Sequence, residues 1–164
     1  LTLSTPVPEP ASASSAKLTA RLGRDFIDAD AIPWTPWVMA GTYFKLLAVN
    51  ELSGGFTMLL KVDAGTKAPV HAHLGSAEAF LLEGGFYYDA DDPGQAGCYT
   101  YEAGGAVHEP VSPQGCIMFA VSHGPLGGCD AQGQVNAVVD CRTMLALAEA
   151  NGTAGHVVRV TSAH

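Results

Sequence analysis

The chain has 164 residues, 48% of them hydrophobic and 15% charged, with a formal charge of −8. That length suits one domain built on one core, and the composition excludes a disordered chain. The excess of acid leaves no basic face for nucleic acid or an anionic membrane surface, and no apolar run is long enough to span a bilayer.

Taken in order, "STPVPEPASASSA" at 4–16 is small, polar and proline-rich, and reads as a flexible arm over 1–16 ahead of a single domain over 17–164. Residues 17–27 suit a short helix or a stretch lying on the surface. "IPWTPW" at 32–37 is a rigid turn that brings two tryptophans to be buried. "GFTMLLKVD" then alternates, with Phe56, Met58, Leu60 and Val62 on one face and Thr57, Leu59, Lys61 and Asp63 on the other. Further strands are expected at 42–50, 69–73, 77–83, 85–90, 97–102, 106–110, 115–123 and 134–140. Turns such as "DAGTKAP", "DDPGQAG", "EAGGA" and "SPQG" separate several of them. A helix is expected over 143–151, stopped by Gly152. This spacing predicts an all-β sandwich or barrel of eight or more strands, a jelly roll with one short C-terminal helix.

Four cysteines at 98, 116, 129 and 141 form no close pairs, which argues against a structural zinc site. With no leader visible, reduced thiols and a cytoplasmic location are the expectation.

The chemistry concentrates in "HAHLGSAEAF" at 71–80. In a strand, residues i and i+2 share a face, so His71 and His73 can reach one point. Reading outward gives G-x5-H-x-H-x4-E-x6-G, from Gly65 through His71, His73 and Glu78 to Gly85. "GCYTYEAGGAVH" adds Gly97, Gly105 and His108, with Glu102 six residues before the histidine. Imidazoles and a carboxylate from several strands can converge inside a small barrel and leave one side of an ion open for a ligand. The competing account is a barrel whose histidines merely hydrogen-bond. His123 is expected at a rim in a structural hydrogen bond, and His156 and His164 on the surface. Tyr87, Tyr88, Tyr99, Tyr101, Phe80 and Phe119 are expected mainly in the core, with two lining a pocket. Glu83, Asp91 and Asp92 are read as solvated turn residues.

The two blocks resemble the paired motifs of the cupin superfamily, departing at Ala103 and Ser112, neither a ligand position. That resemblance implies a double-stranded β-helix holding one divalent transition metal per chain. His71, His73 and His108 would be ligands, with Glu78 as the fourth. "DAIPWTPWVMAGTYFKLL", "AGCYTYEAGGAVH" and "GPLGGCDAQGQV" are similar to small single-domain cupins that cleave carbon–carbon bonds with dioxygen, the acetylacetone and dihydroxyacetophenone dioxygenases. In those enzymes Fe(II) is held chiefly by three histidines. The resemblance therefore implies a small diketone or hydroxyketone and dioxygen as substrates, and Glu102 as a catalytic base or hydrogen-bond partner beside the metal. The first block is also similar to zinc-binding cupin domains of anti-sigma factors, which carry glutamate where this chain has Ala77. A non-catalytic zinc- or ligand-sensing cupin, or an isomerase or hydrolase with zinc or nickel, therefore stays open. Cupin barrels expose sheet edges, so a homodimer or a multiple of dimers is expected, with "IPWTPW" offering apolar surface to the partner.

Overall fold

The computed structural model describes residues 26–161. The arm expected over 1–16, nearly all of 17–27 and His164 lie outside the described residues. The strands are β1 (Thr35–Pro36), β2 (Thr42–Asn50), β3 (Gly55–Val62), β4 (Thr66–Lys67), β5 (His71–His73), β6 (Ala77–Phe86) and β7 (Gly94–Gln95). They continue as β8 (Tyr99–Glu102), β9 (Val107–His108), β10 (Val111–Ser112), β11 (Cys116–Ser122), β12 (Leu126–Cys129) and β13 (Val135–Val139). The helix α1 (Cys141–Ala150) and the strand β14 (Val158–Val160) close the order.

The larger sheet runs β1-β2-β3-β11-β6-β7, with β8 also paired to β6 and β14 parallel to β2. The smaller sheet runs β13-β12-β5-β9, and β10 and β4 form a separate two-stranded pair. This is the expected all-β jelly roll with one short helix. Period-two alternation sets its inside and outside. Phe56 and Met58 of β3, Ala79 and Leu81 of β6, and Cys116 and Met118 of β11 are buried. One apolar cluster joins Ala79, Leu81, Phe86, Cys116 and Met118 within the barrel. A second joins Phe44, Leu46 and Val49 of β2 to Met144, Leu145 and Ala148 of α1.

The helix covers that second cluster because its apolar residues Cys141, Met144, Leu145 and Ala148 recur at helical spacing. It starts two residues before the expected 143, because the Asp140 side chain accepts from the backbone N–H groups of Arg142 and Thr143. Among the described residues no helix is long and apolar enough to cross a membrane.

Three further expectations change. The strands expected at 77–83 and 85–90 give one strand, β6, which ends at Phe86 and is bulged where it pairs β11, while Tyr87 makes only an isolated bridge to Val111 and 88–90 turn away. Gly84 sits beside that bulge with φ +62°, and a Cβ there would meet the Gly115 carbonyl oxygen at 2.0 Å, so only glycine fits. The sequence "LGGC" forms β12 between β5 and β13 although no strand is expected there. Its glycines hide the apolar pattern, and a Cβ on Gly127 would meet the Val135 side chain at 2.9 Å. Phe80, Phe119, Tyr99 and Tyr101, expected mainly in the core, are exposed, because alternation turns them to the outer face of the larger sheet.

Candidate metal centre

His71 and His73 lie on β5, and the intervening Ala72 points the other way. β9 pairs antiparallel with β5 so that His108 stands opposite His71. The turn between β8 and β9 is tied to His73: the His73 N–H donates to the Ala106 carbonyl at 2.8 Å, and the Gly105 N–H donates to the His73 carbonyl at 2.7 Å. Gly105 makes that turn with φ +89°. The same clamp delivers Glu102, the last residue of β8, to the histidines.

At the centre, His108 Nε2 lies 3.1 Å from His73 Nε2 and 3.2 Å from His71 Nε2. Glu102 Oε2 lies 2.6 Å from His73 Nε2 and 3.8 Å from His108 Nε2. His71 Nδ1 donates to the Pro69 carbonyl at 3.0 Å, which fixes the tautomer and leaves Nε2 as a lone pair. Burial lowers the pKa of His71, against a raising effect of its bond to Pro69. Burial likewise takes His108 down to about 4, although Glu102 pulls the other way. These two rings are therefore neutral at physiological pH and available as ligands.

Nitrogen lone pairs and a carboxylate oxygen crowded together repel one another unless a proton or a cation stands among them. Burial makes protons a poor remedy, and a divalent cation satisfies all the donors at once. The donor set therefore fits a metal, with His71, His73 and His108 grouped so that their ligand atoms lie within 4.8 Å of one another. The ring of Tyr88 stacks on His108, centroids 4.5 Å apart and 28° from parallel. His73 Nδ1 is buried without a partner.

Beside the histidines lies a cavity of about 110 Å³, walled by apolar side chains that include Phe56, Met58, Leu60, Phe86, Met118 and Leu126. One water needs about 10–15 Å³ on this measure, so the space takes a small organic molecule.

Glu78 stands apart from this group. It lies on the outward parity of β6 between buried Ala77 and Ala79, and its carboxylate is engaged elsewhere. Tyr99 Oη donates to Glu78 Oε2 at 2.8 Å, and His123 Nε2 lies 2.8 Å from Glu78 Oε1. His123, then Tyr99, hold this carboxyl below its ordinary value, and the contact raises the Tyr99 phenol. The inward position is Ala77, whose cross-strand neighbour is Glu102. Directly opposed residues of an antiparallel pair share a face, so the acidic group comes from β8 instead of β6. Sequence spacing missed the stacking of Tyr88, and it misplaced His156, whose Nε2 lies 2.7 Å from the Leu46 carbonyl oxygen in a partly buried contact. Glu83, Asp91 and Asp92 are exposed, and all four cysteines are free thiols.

Residues 22–127 match the family model described as the ChrR cupin-like domain, which is more than half of the chain. The protein belongs to this cupin family. A solved RmlC-like cupin from Ralstonia eutropha is 26% identical with a TM-score of 0.68, covering 76% of this chain and 87% of that one. An acetylacetone dioxygenase from Acinetobacter johnsonii is 23% identical with a TM-score of 0.70, covering 82% of this chain and 95% of that one. No curated protein matches the sequence. The comparisons and the geometry agree on the cupin fold, and the geometry adds a histidine triad able to hold a metal ion.

Proposed function

We propose that this cupin is a non-haem Fe(II) dioxygenase that cleaves a carbon–carbon bond in a small diketone or hydroxyketone. One observation carries the reading: three buried or half-buried imidazoles and Glu102 converge beside an apolar cavity of small-molecule size. The fold shared with an acetylacetone dioxygenase supports it. His71, His73 and His108 would hold the metal, and ferrous iron, when bound, supplies the redox chemistry that couples dioxygen to an electron-rich enolate.

The chain's own residues prepare that enolate. Glu102 Oε2 stands where it can take the proton from the carbon between two carbonyls, and the apolar wall excludes water that would quench a carbanion. Tyr88 and Pro69 fix the planes of His108 and His71, so the donor set stays ordered between turnovers.

Iron-loaded protein is expected to consume dioxygen with at least one member of a panel of diketones and hydroxyacetophenones, and zinc-loaded protein with none. Absence of oxygen uptake across the whole panel, with iron bound at one ion per chain, refutes the reading. The match to the ChrR cupin-like family favours a second one, a zinc- or ligand-sensing domain without turnover. In that case the purified protein carries zinc and the cavity binds a ligand without consuming it.

A further inference from the structure

The register of the larger sheet decides which side chains stand inside the barrel beside Glu102. Directly opposed residues of antiparallel strands share a face, so the inner surface reads as a grid. Across β3, β11, β6 and β8 one row is Phe56, Ser122, Ala77 and Glu102, and the next is Met58, Ala120, Ala79 and Thr100. A third row holds Leu60, Met118 and Leu81. The middle of the grid is therefore a block of four small side chains, Ser122, Ala77, Ala120 and Ala79, bordered by Phe56, Met58, Met118, Leu81 and Glu102. All four of the block line the cavity next to the histidines. With strands about 4.8 Å apart and same-face residues about 7 Å apart along a strand, the block measures about 5 by 7 Å.

We infer that Ala79 and Ala120 set the size limit of the substrate, and that the group seated over them is a short alkyl chain. This rests on the ketone-cleaving reading of the site and names which ketones it takes. Glu102 stands at one corner of the block, next to Ala77, so a substrate that meets this carboxylate extends its substituent over the small residues. The whole cavity has about 110 Å³. An apolar protein cavity that holds benzene has about 150 Å³, so an aromatic ring does not fit here together with the two oxygens of the substrate. A methyl or ethyl group does.

The wall also selects against polar substituents. Ser122 Oγ donates to the Gly124 carbonyl and Ser112 Oγ to the Gly85 carbonyl, each at 2.7 Å, and Thr42 Oγ1 donates to the Met39 carbonyl. Those hydroxyl protons are spent on the backbone. Among the described residues no lysine or arginine lines the cavity, so a carboxylate on the substrate would be buried near Glu102 with no cation to pair it.

Calorimetry on the zinc-loaded protein reads binding without turnover. Acetylacetone should bind at least about tenfold more tightly than benzoylacetone or acetoacetate, since one methylene of misfit in an apolar pocket is worth about 10- to 200-fold. Ala79→Leu and, separately, Ala120→Leu should each weaken acetylacetone at least about tenfold. Met58→Ala, which removes bulk beside Ala120, should bring benzoylacetone within about threefold of acetylacetone. Phe80→Leu, on the outward parity between Ala79 and Leu81, should change nothing. Unchanged circular dichroism and zinc content show that the variants fold with the centre intact, and Ala79→Val serves where leucine is not accommodated. Benzoylacetone bound as tightly as acetylacetone by the wild type, acetylacetone binding untouched by both leucine substitutions, or no binding of any of the three compounds overturns the inference. Size-ordered binding without oxygen uptake by the iron-loaded protein refutes the dioxygenase reading and upholds the size limit. Oxygen uptake that is faster with benzoylacetone than with acetylacetone does the reverse.

Discussion

Exchanging the carboxylate between two facing strands tests the metal centre directly. Glu102→Ala removes the acidic group from the histidines, and adding Ala77→Glu returns one from the adjacent strand, because the two positions are cross-strand neighbours on one face. The Glu102 carboxylate approaches the histidine nitrogens at 2.6 and 3.8 Å, with its side chain only 14% exposed. A unit charge about 4 Å from a divalent ion, at an effective dielectric of about 20, attracts it by about 8 kcal/mol before desolvation. Burying the carboxylate offsets most of that, leaving about 2–3 kcal/mol, or roughly 30- to 150-fold in affinity. Competition with a chromophoric chelator, read for Fe(II) and Zn(II), measures the change. Glu102→Ala should lose roughly that factor, and the double variant should regain most of it. Glu102→Gln, which keeps the shape and removes the charge, should lose nearly as much as alanine. An affinity for Glu102→Gln within about threefold of wild type would refute the argument, since 1.4 kcal/mol corresponds to tenfold. Failure of the Ala77→Glu rescue in a folded double variant would refute the claim that positions 77 and 102 are interchangeable.

Glu78→Gln should leave metal content at the wild-type level by plasma emission after dialysis, because its carboxylate is held by Tyr99 and His123 on the outer face; metal loss would return it to the ligand set. In metal-free protein, His108 titrates near 4 when folded against 6.5 when unfolded, so the unfolded chain binds the extra proton between those values. Stability should therefore be fully present above pH 6.5 and fall as the pH drops toward about 4, by up to about 3 kcal/mol. His108→Gln should flatten that part of a denaturant-melt series, and an unchanged slope would count against the burial argument.

Much of this centre follows from local rules. His71 and His73 share a face because a strand repeats every two residues, and the turn chemistry around them announces a β domain. The helix after Asp140 and its end near Gly152 are local as well. The choice of carboxylate is not. Glu78 and Ala77 differ by one position, and that one step reverses the direction of the side chain, so an acidic residue at the familiar spacing falls outside the barrel. Glu102 reaches the histidines because β8 pairs with β6 in one particular register and the Gly105 turn ties it to His73. The same pairing turns Phe80, Phe119, Tyr99 and Tyr101 outward, although their residue types suggest a core. Periodicity along one strand is written in neighbouring residues, whereas register between strands far apart in sequence is set by the summed packing of the whole sheet, and only the tertiary structure decides it.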